Sequence, residues 1–310
     1  MLILEDYIDP DVAYVLGLIV GRGTLSEIPD KRIIIKFPYK ALVAEGVKTS
    51  YNQKHYIEHS LYIIVERLRE VLGCDIHVER QEREAKIVAR FLRNTIAWRD
   101  IRYLLGNAWS FFDARIPNQI FSAPHDIQKE FVRGIADCAG FIRHSNNYMG
   151  GKRRVYLEIA NQNWILPIQL CNLLQTHLDI PVQLIQWGHP NTREPYQTSH
   201  RTTWAREHQI KIFSEAFEPI GFYVEYKNRI LKEFIEEDKH IHQKIVKCNP
   251  DPRIRRSRKK PHHPDENSEL LPEKIRGMHF DNYWSICKAL GCKQGWKAPG
   301  REPFPEPEEG

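Results

Sequence analysis

No stretch of this 310-residue chain stays apolar long enough to cross a membrane. Its start, Met1-Leu2-Ile3-Leu4-Glu5-Asp6, has acid where a secretory leader would need a basic region, so neither a membrane partner nor an export signal is expected. Cysteine is scarce too: six residues are too few for a disulfide framework at this length and point to reduced thiols in a cytoplasmic protein. What is abundant is core-forming material. Hydrophobic residues make up 42%, with 13 Phe, 13 Tyr and 7 Trp, which excludes disorder for most of the chain. The net charge of +5 is modest but unevenly placed.

Two short phrases are near-copies. Val15-Leu16-Gly17-Leu18-Ile19-Val20-Gly21-Arg22-Gly23 is the first, and Val132-Arg133-Gly134-Ile135-Ala136-Asp137-Cys138-Ala139-Gly140 the second. Their glycines Gly17 and Gly134 stand 117 residues apart, so the repeating unit is a compact half-domain rather than a solenoid turn. Gly17 and Gly21 share one side of a helix, and Gly134 and Cys138 repeat that spacing. Small residues so placed let two helices approach closely, which would bring positions 22 and 139 together at the base of the pair. Gly23 and Gly140 fall where a helix C-terminal glycine belongs.

The order of elements after each phrase also repeats. The first is followed by an extended run at 32–37, an amphipathic helix at 57–72, strand-like runs at 74–80 and 85–91, and a helix at 95–105. The second is followed by a strand at 154–159, a helix at 164–178, strands at 181–187 and 206–213, and a helix at 227–237. In the 154–159 strand Val155, Leu157 and Ile159 face one way and Arg154, Tyr156 and Glu158 the other. One face can pack under helices while the other meets solvent or ligand.

Both phrases resemble the LAGLIDADG motif of homing endonucleases, in the single-chain form with two motifs. Arg115-Ile116-Pro117-Asn118-Gln119-Ile120 resembles the lead-in to the second motif, and the likeness covers about residues 11–238. It implies an α+β fold of two pseudo-symmetric αββαββ-type repeats forming a DNA-binding saddle, at 1–125 and 126–240. It also implies a metal-binding acid before each final glycine. This chain departs from the pattern there, with Arg22 and Ala139. A guanidinium repels a cation, and alanine offers no ligand. The scaffold then reads as a sequence-specific binder of double-stranded DNA, acting as a monomer, with a degenerate active site and no cofactor. Sporulation regulators built on the same scaffold without the acids are a parallel. In place of a lost metal, Arg22 at the base of the pair could hold a phosphate or pair with a carboxylate.

Rival readings keep the chemistry alive. A Mg²⁺-dependent endonuclease could recruit Asp137, two residues before Ala139, with Glu158. Alternatively Asp75, Glu84 and Lys86 match the spacing of PD-(D/E)xK nucleases on consecutive strands, a pattern that also arises by chance in a chain with 27% charged residues. A maturase-like RNA binder is a further alternative.

Beyond 240 the composition changes. Arg253, Arg255, Arg256, Arg258, Lys259 and Lys260 crowd a proline-rich stretch at 241–268, which reads as an extended arm for a phosphate backbone. Residues 269–297 form a small helical module, too short to stand alone, and 298–310 read as a disordered tail. Zinc ligation by Cys248, His262 or His263, Cys287 and Cys292 is weak, because the segment has no CxxC or HxxxH pair. His262, His263 and Asn267 carry the letters of an HNH nuclease in the wrong order. Candidate DNA contacts on the saddle are Arg32, Lys36, Lys152, Arg153 and Arg154, with Tyr156, Gln183 and Gln186 able to reach bases. Arg193 and Arg201 extend the set.

Overall fold

The computed structural model describes residues 8–42, 53–82, 84–144, 153–192, 205–240, 270–278 and 283–292. The fold is α+β, and the same unit is built twice. In the first repeat α1 (Pro10–Arg22) leads directly into β1 (Gly23–Ser26) and β2 (Lys31–Pro38). A short α2 (Tyr39–Leu42) and α3 (Gln53–Leu72) precede β3 (Asp75–Arg80), β4 (Glu84–Phe91) and α4 (Ile96–Leu105). After a short α5 (Asn118–Ser122), the second repeat runs α6 (His125–Ala139), β5 (Gly140–His144), β6 (Arg153–Ala160) and α7 (Ile165–Asn172). It continues with β7 (Val182–Thr192), β8 (Ala205–Phe213), a short α8 (Ser214–Phe217) and α9 (Glu225–His240). The helix expected at 164–178 divides into α7 and a π-helical turn at Leu173–His177. None of the described helices is long and apolar enough to cross a membrane.

The centre of the molecule is the α1–α6 pair. Asp9 caps α1 by accepting from Val12 N at 2.7 Å, and Pro10 opens the first turn. Every residue from Ala13 to Arg22 is buried, so this helix is apolar all round and lies inside the core. The pair touches through its small residues. A Cβ on Gly17 would lie 2.1 Å from the Phe131 carbonyl oxygen, and one on Gly21 2.6 Å from Cys138 Sγ. Ridge-and-groove packing at that distance tolerates only hydrogen at these positions.

The helix-end glycines act differently from expectation. Gly23 and Gly140 have φ of −90° and −101°, so neither supplies a left-handed cap. Each helix passes straight into a strand that folds against its own last turn. A Cβ on Gly23 would lie 2.5 Å from Ile19 Cα, and one on Gly140 2.5 Å from the Ala136 carbonyl oxygen. The absent side chain makes room for the helix-to-strand corner. β1 and β5, which periodicity did not reveal, begin there.

The two sheets have the same order, β1-β2-β4-β3 and β5-β6-β8-β7, all antiparallel. Their registers also match. Gly23 faces Ile35, which faces Ile87; Gly140 faces Leu157, which faces Ile210. Counting along these rows, Lys36 and Glu158 are equivalent, as are Lys86 and Gln209, and Glu84 and Glu207. Ile33, Ile35 and Phe37 in β2, and Val155, Leu157 and Ile159 in β6, point into the core. A small C-terminal module with a 3-10 turn at Glu273–Ile275 and α10 (Tyr283–Leu290) packs on α7 and β7.

Candidate nucleic-acid interface

Both motif positions that lack an acid lie at the base of the helix pair, and the structure shows what replaces the first. Arg22 is 9% exposed and reaches out of the first repeat into the second. Its Nη2 donates to Glu207 Oε1 at 2.8 Å and lies 3.6 Å from Glu158 Oε2. The Phe111 ring packs 5.8 Å from its guanidinium carbon. Burial works against the charge, but Glu207 and Glu158 outweigh it and hold Arg22 protonated above its ordinary range. Glu158 is 1% exposed and also accepts from Gln209 Nε2 at 3.3 Å. A fixed organic cation thus sits between two carboxylates of β6 and β8. Glu158, expected as a partner of Asp137 in metal binding, is engaged here by Arg22 and Gln209. Glu207 had no role in the sequence reading; its distance from Arg22 along the chain, 185 residues, hid it. Ala139 is buried at the matching point of α6 and brings no polar group.

Asp137 does not join this cluster. Its side chain turns to the other side of α6, where the Tyr14 hydroxyl donates to it at 2.9 Å and Tyr223 N at 3.1 Å. Val224 N is 3.4 Å away, so the carboxylate fastens the entry to α9. Burial pushes its pKa up, opposed by Lys227 and these donors. Lys227, fully buried, donates to the carbonyls of Ala136 and Gly140 at 2.7 and 2.8 Å and so caps α6. Burial lowers it to about 8 against the pull of Asp137. On the outer side Arg67 lies 4.0 and 4.5 Å from the Tyr14 and Tyr223 rings and pairs with Asp11 and Glu130. Asp137, expected as a metal ligand, thus stands apart from the Arg22 site, because two residues along a helix turn it well away from that side.

The exposed faces of the two sheets differ. On the first, Arg32 faces Arg90 and Lys36 faces Lys86 across β2 and β4, with the Ile34–Val88 pair between them. All four basic residues are partly or well exposed. Asp30 holds Arg32 and Arg90 together at 3.2 and 2.8 Å, and Lys86 lies 3.9 Å from Glu84. β2 alternates cleanly between core and outer face, whereas Val88 at the middle of β4 is buried on the outer side.

On the second sheet both faces of β6 are buried, contrary to the expected open face. Arg153 is tied down by Asp238, which accepts from its backbone N at 2.9 Å and its Nη1 at 3.1 Å, and by Glu237. Arg154 is 3% exposed and packs over Phe213. Tyr156, also 3% exposed, stacks on Phe141, with Arg143 and Lys211 near its ring. Gln183 occupies a β-bulge and is 1% exposed. These four, expected as direct contacts, are buried groups in this structure. Gln186 is half-buried and accepts from Lys211 Nζ. Arg143 and Lys211, half-buried on this face, went unnoticed in the sequence.

Lys152, Arg193, Arg201, Arg253, Arg255, Arg256, Arg258, Lys259 and Lys260 lie outside the described residues, as do Cys248, His262, His263 and Asn267. The Asp75, Glu84 and Lys86 set is taken apart by register. Asp75 pairs with Arg90, and Glu84 lies six residues farther along β4, about 20 Å away. Among the described residues no group of three or more His, Cys, Asp or Glu is arranged to hold a metal ion.

No family model matches the chain, and no curated protein does. Solved structures similar to it include LAGLIDADG proteins. Full-length WhiA from Thermatoga maritima is 13% identical, with a TM-score of 0.41 over 77% of this chain and 62% of that one. The chain thus spans under two thirds of WhiA. Mesophilic variants of the homing endonuclease I-DmoI are 12% identical, with a TM-score of 0.41 over 72% of this chain and 97% of theirs. The homing endonuclease I-WcaI, bound to its DNA recognition sequence, is 12% identical, with a TM-score of 0.40 over 69% and 81%.

Proposed function

We propose that this protein binds double-stranded DNA along its two sheets and lacks the two-metal cleavage chemistry of the homing endonucleases that its motifs resemble. The observation that carries the reading is the Arg22–Glu207–Glu158 cluster. Hydrolysis of a phosphodiester by this scaffold needs carboxylates open to divalent ions. Here the carboxylates face a guanidinium 2.8 and 3.6 Å away, which fills the position with positive charge and needs no Mg²⁺. Arg32, Lys36, Lys86 and Arg90 supply phosphate contacts on the first sheet, and Asp30 keeps two of them in place until a phosphate competes. The Arg253–Lys260 segment adds sequence-independent grip, which makes binding steeply salt-dependent. Both repeats reside in one chain, so one monomer covers one site.

The test is incubation with a randomised duplex library and Mg²⁺ or Mn²⁺, followed by sequencing of bound and of cut molecules. Enrichment of intact duplexes is the expected result. Enriched cut ends would overturn it and assign Glu158 and Glu207 to a catalytic metal site exposed when Arg22 swings away.

A further inference from the structure

Three buried thiols from distant parts of the chain converge where the C-terminal module meets the second repeat. Cys171 lies on α7, Cys287 on α10, and Cys292 just beyond α10; their exposures are 0%, 0% and 7%. Cys171 Sγ and Cys292 Sγ are 3.2 Å apart, closer than two sulfurs rest without a shared hydrogen or a bond. Cys287 is the other thiol in contact with Cys292. All three are free.

The position of Cys292 is built, not incidental. Gly291, at φ +74°, ends α10 in the left-handed conformation, with its N–H bonded to the Lys288 carbonyl at 3.0 Å. Cys292 N then returns to the Cys287 carbonyl at 3.0 Å. This helix-ending turn folds Cys292 back toward α7. Hydrogen bonds also cross the seam among the described residues. Gln175 Nε2 donates to the Leu290 carbonyl at 2.7 Å and Gln169 Nε2 to the Leu270 carbonyl at 3.4 Å. Leu271, Ile275 and Ile286 are the main apolar anchors. A module this small has little stability of its own and relies on its packing against the second repeat.

We propose that Cys171 and Cys292 form a reversible disulfide that locks the C-terminal module onto the second repeat, with Cys287 as the exchanging thiol. A small-molecule disulfide such as oxidised glutathione is the oxidant. Cys171 and Cys292 each lose their S–H proton, an S–S bond forms between them, and the reagent's S–S bond is reduced to two thiols. Release requires no reductant. The Cys287 thiolate attacks the Cys292 sulfur, the Cys171–Cys292 bond breaks, and Cys171 leaves as a thiolate that takes up the proton lost by Cys287. Because the thiols are buried, reagents reach them only when the module lifts, so oxidation is slow and the closed lock opens from within, through Cys287, rather than by an outside reductant. The inference is independent of the DNA-binding reading.

The experiment uses the full chain, treated with oxidised glutathione, alkylated in denaturant and mapped by peptide mass spectrometry. The expected product is a Cys171–Cys292 cross-linked peptide, with free thiols falling from the six of the sequence to four. A thermal midpoint higher by about 5–10 °C is expected, since the bond closes a loop of more than 100 residues. Cys287→Ser should keep that peptide, and Cys171→Ala should divert the bond to Cys287–Cys292. A Cys287–Cys292 bond as the main wild-type product would overturn the proposal. So would six unreacted thiols after the module has been opened in mild denaturant and refolded with the oxidant. One equivalent of zinc in the purified protein, protecting all three thiols, would overturn it in favour of a metal site.

Discussion

Gly17 and Gly134 meet at the crossing of α1 and α6, where a Cβ on either would lie 3.1 Å from the other's Cα. The nearer obstacles are backbone carbonyl oxygens at 2.1 and 2.2 Å, which have no rotamer to give way. Gly17→Ala or Gly134→Ala should therefore destabilise the fold by about 3 kcal/mol through forced separation of the helices. Gly73, at φ +55° just past α3 with its N–H on the Arg69 carbonyl and open space around it, is the control. Its alanine variant should cost only about 1 kcal/mol of backbone strain. Urea midpoints of the three variants check this, and equal losses would contradict it.

Removing the guanidinium at the base of the pair leaves two carboxylates facing each other in a largely buried site. Arg22→Ala should cost about 3–5 kcal/mol. Adding Glu158→Gln and Glu207→Gln should recover more than half, because no buried charge then lacks its partner. Mn²⁺ should raise the thermal midpoint of Arg22→Ala and leave the wild type unmoved. A single variant indifferent to both manipulations would refute the account of Arg22 as a built-in cation.

Asp137 belongs to the architecture of α9. In Asp137→Asn one acceptor oxygen becomes a donor facing either the Tyr14 hydroxyl and the Tyr223 amide or the Val224 amide. We expect a loss of about 2 kcal/mol in stability. DNA affinity of the folded fraction should be unchanged, as titration by fluorescence anisotropy would show. A large affinity loss with intact stability would return Asp137 to the functional site.

His208 is 3% exposed beside the Trp187 ring, and burial lowers its pKa from 6.5 to about 4, partly offset by a backbone hydrogen bond at Asn161. The folded state therefore resists protonation that the unfolded state accepts. Stability from this group is complete above pH 6.5 and is lost as pH falls toward about 4, for a total of about 3 kcal/mol. His208→Phe should flatten the acid side of a stability–pH curve. An unchanged slope between pH 6.5 and 4 would show that other groups dominate there.

Much of this frame was legible in the sequence, because both periodicities that carry it are local. The small-residue spacing of Gly17, Gly21, Gly134 and Cys138 announced the helix pair, and alternation located β2, β4, β6 and β8. Alternation says which residues share a face but nothing about what lies over that face. For that reason Arg154 and Tyr156 were misread as open while Arg32 and Lys36 were not. The helix-to-strand corners at Gly23 and Gly140 were misread because a glycine after a helix signals left-handed backbone more often than close packing. The Arg22–Glu207 and Asp137–Tyr14 pairs join residues more than 100 positions apart. No window along the chain contains both partners.

The matched registers of the two sheets carry a last consequence. At one and the same row the first sheet presents Lys36 and Lys86 to solvent, while the second carries Glu158 and Gln209, both buried. A duplicated frame with opposite chemistry on its halves is polar, like an arrow drawn on a two-fold object. On the DNA-binding reading proposed above, a duplex lying across it would meet two unlike surfaces, and chain order would fix which end of an asymmetric target each half contacts.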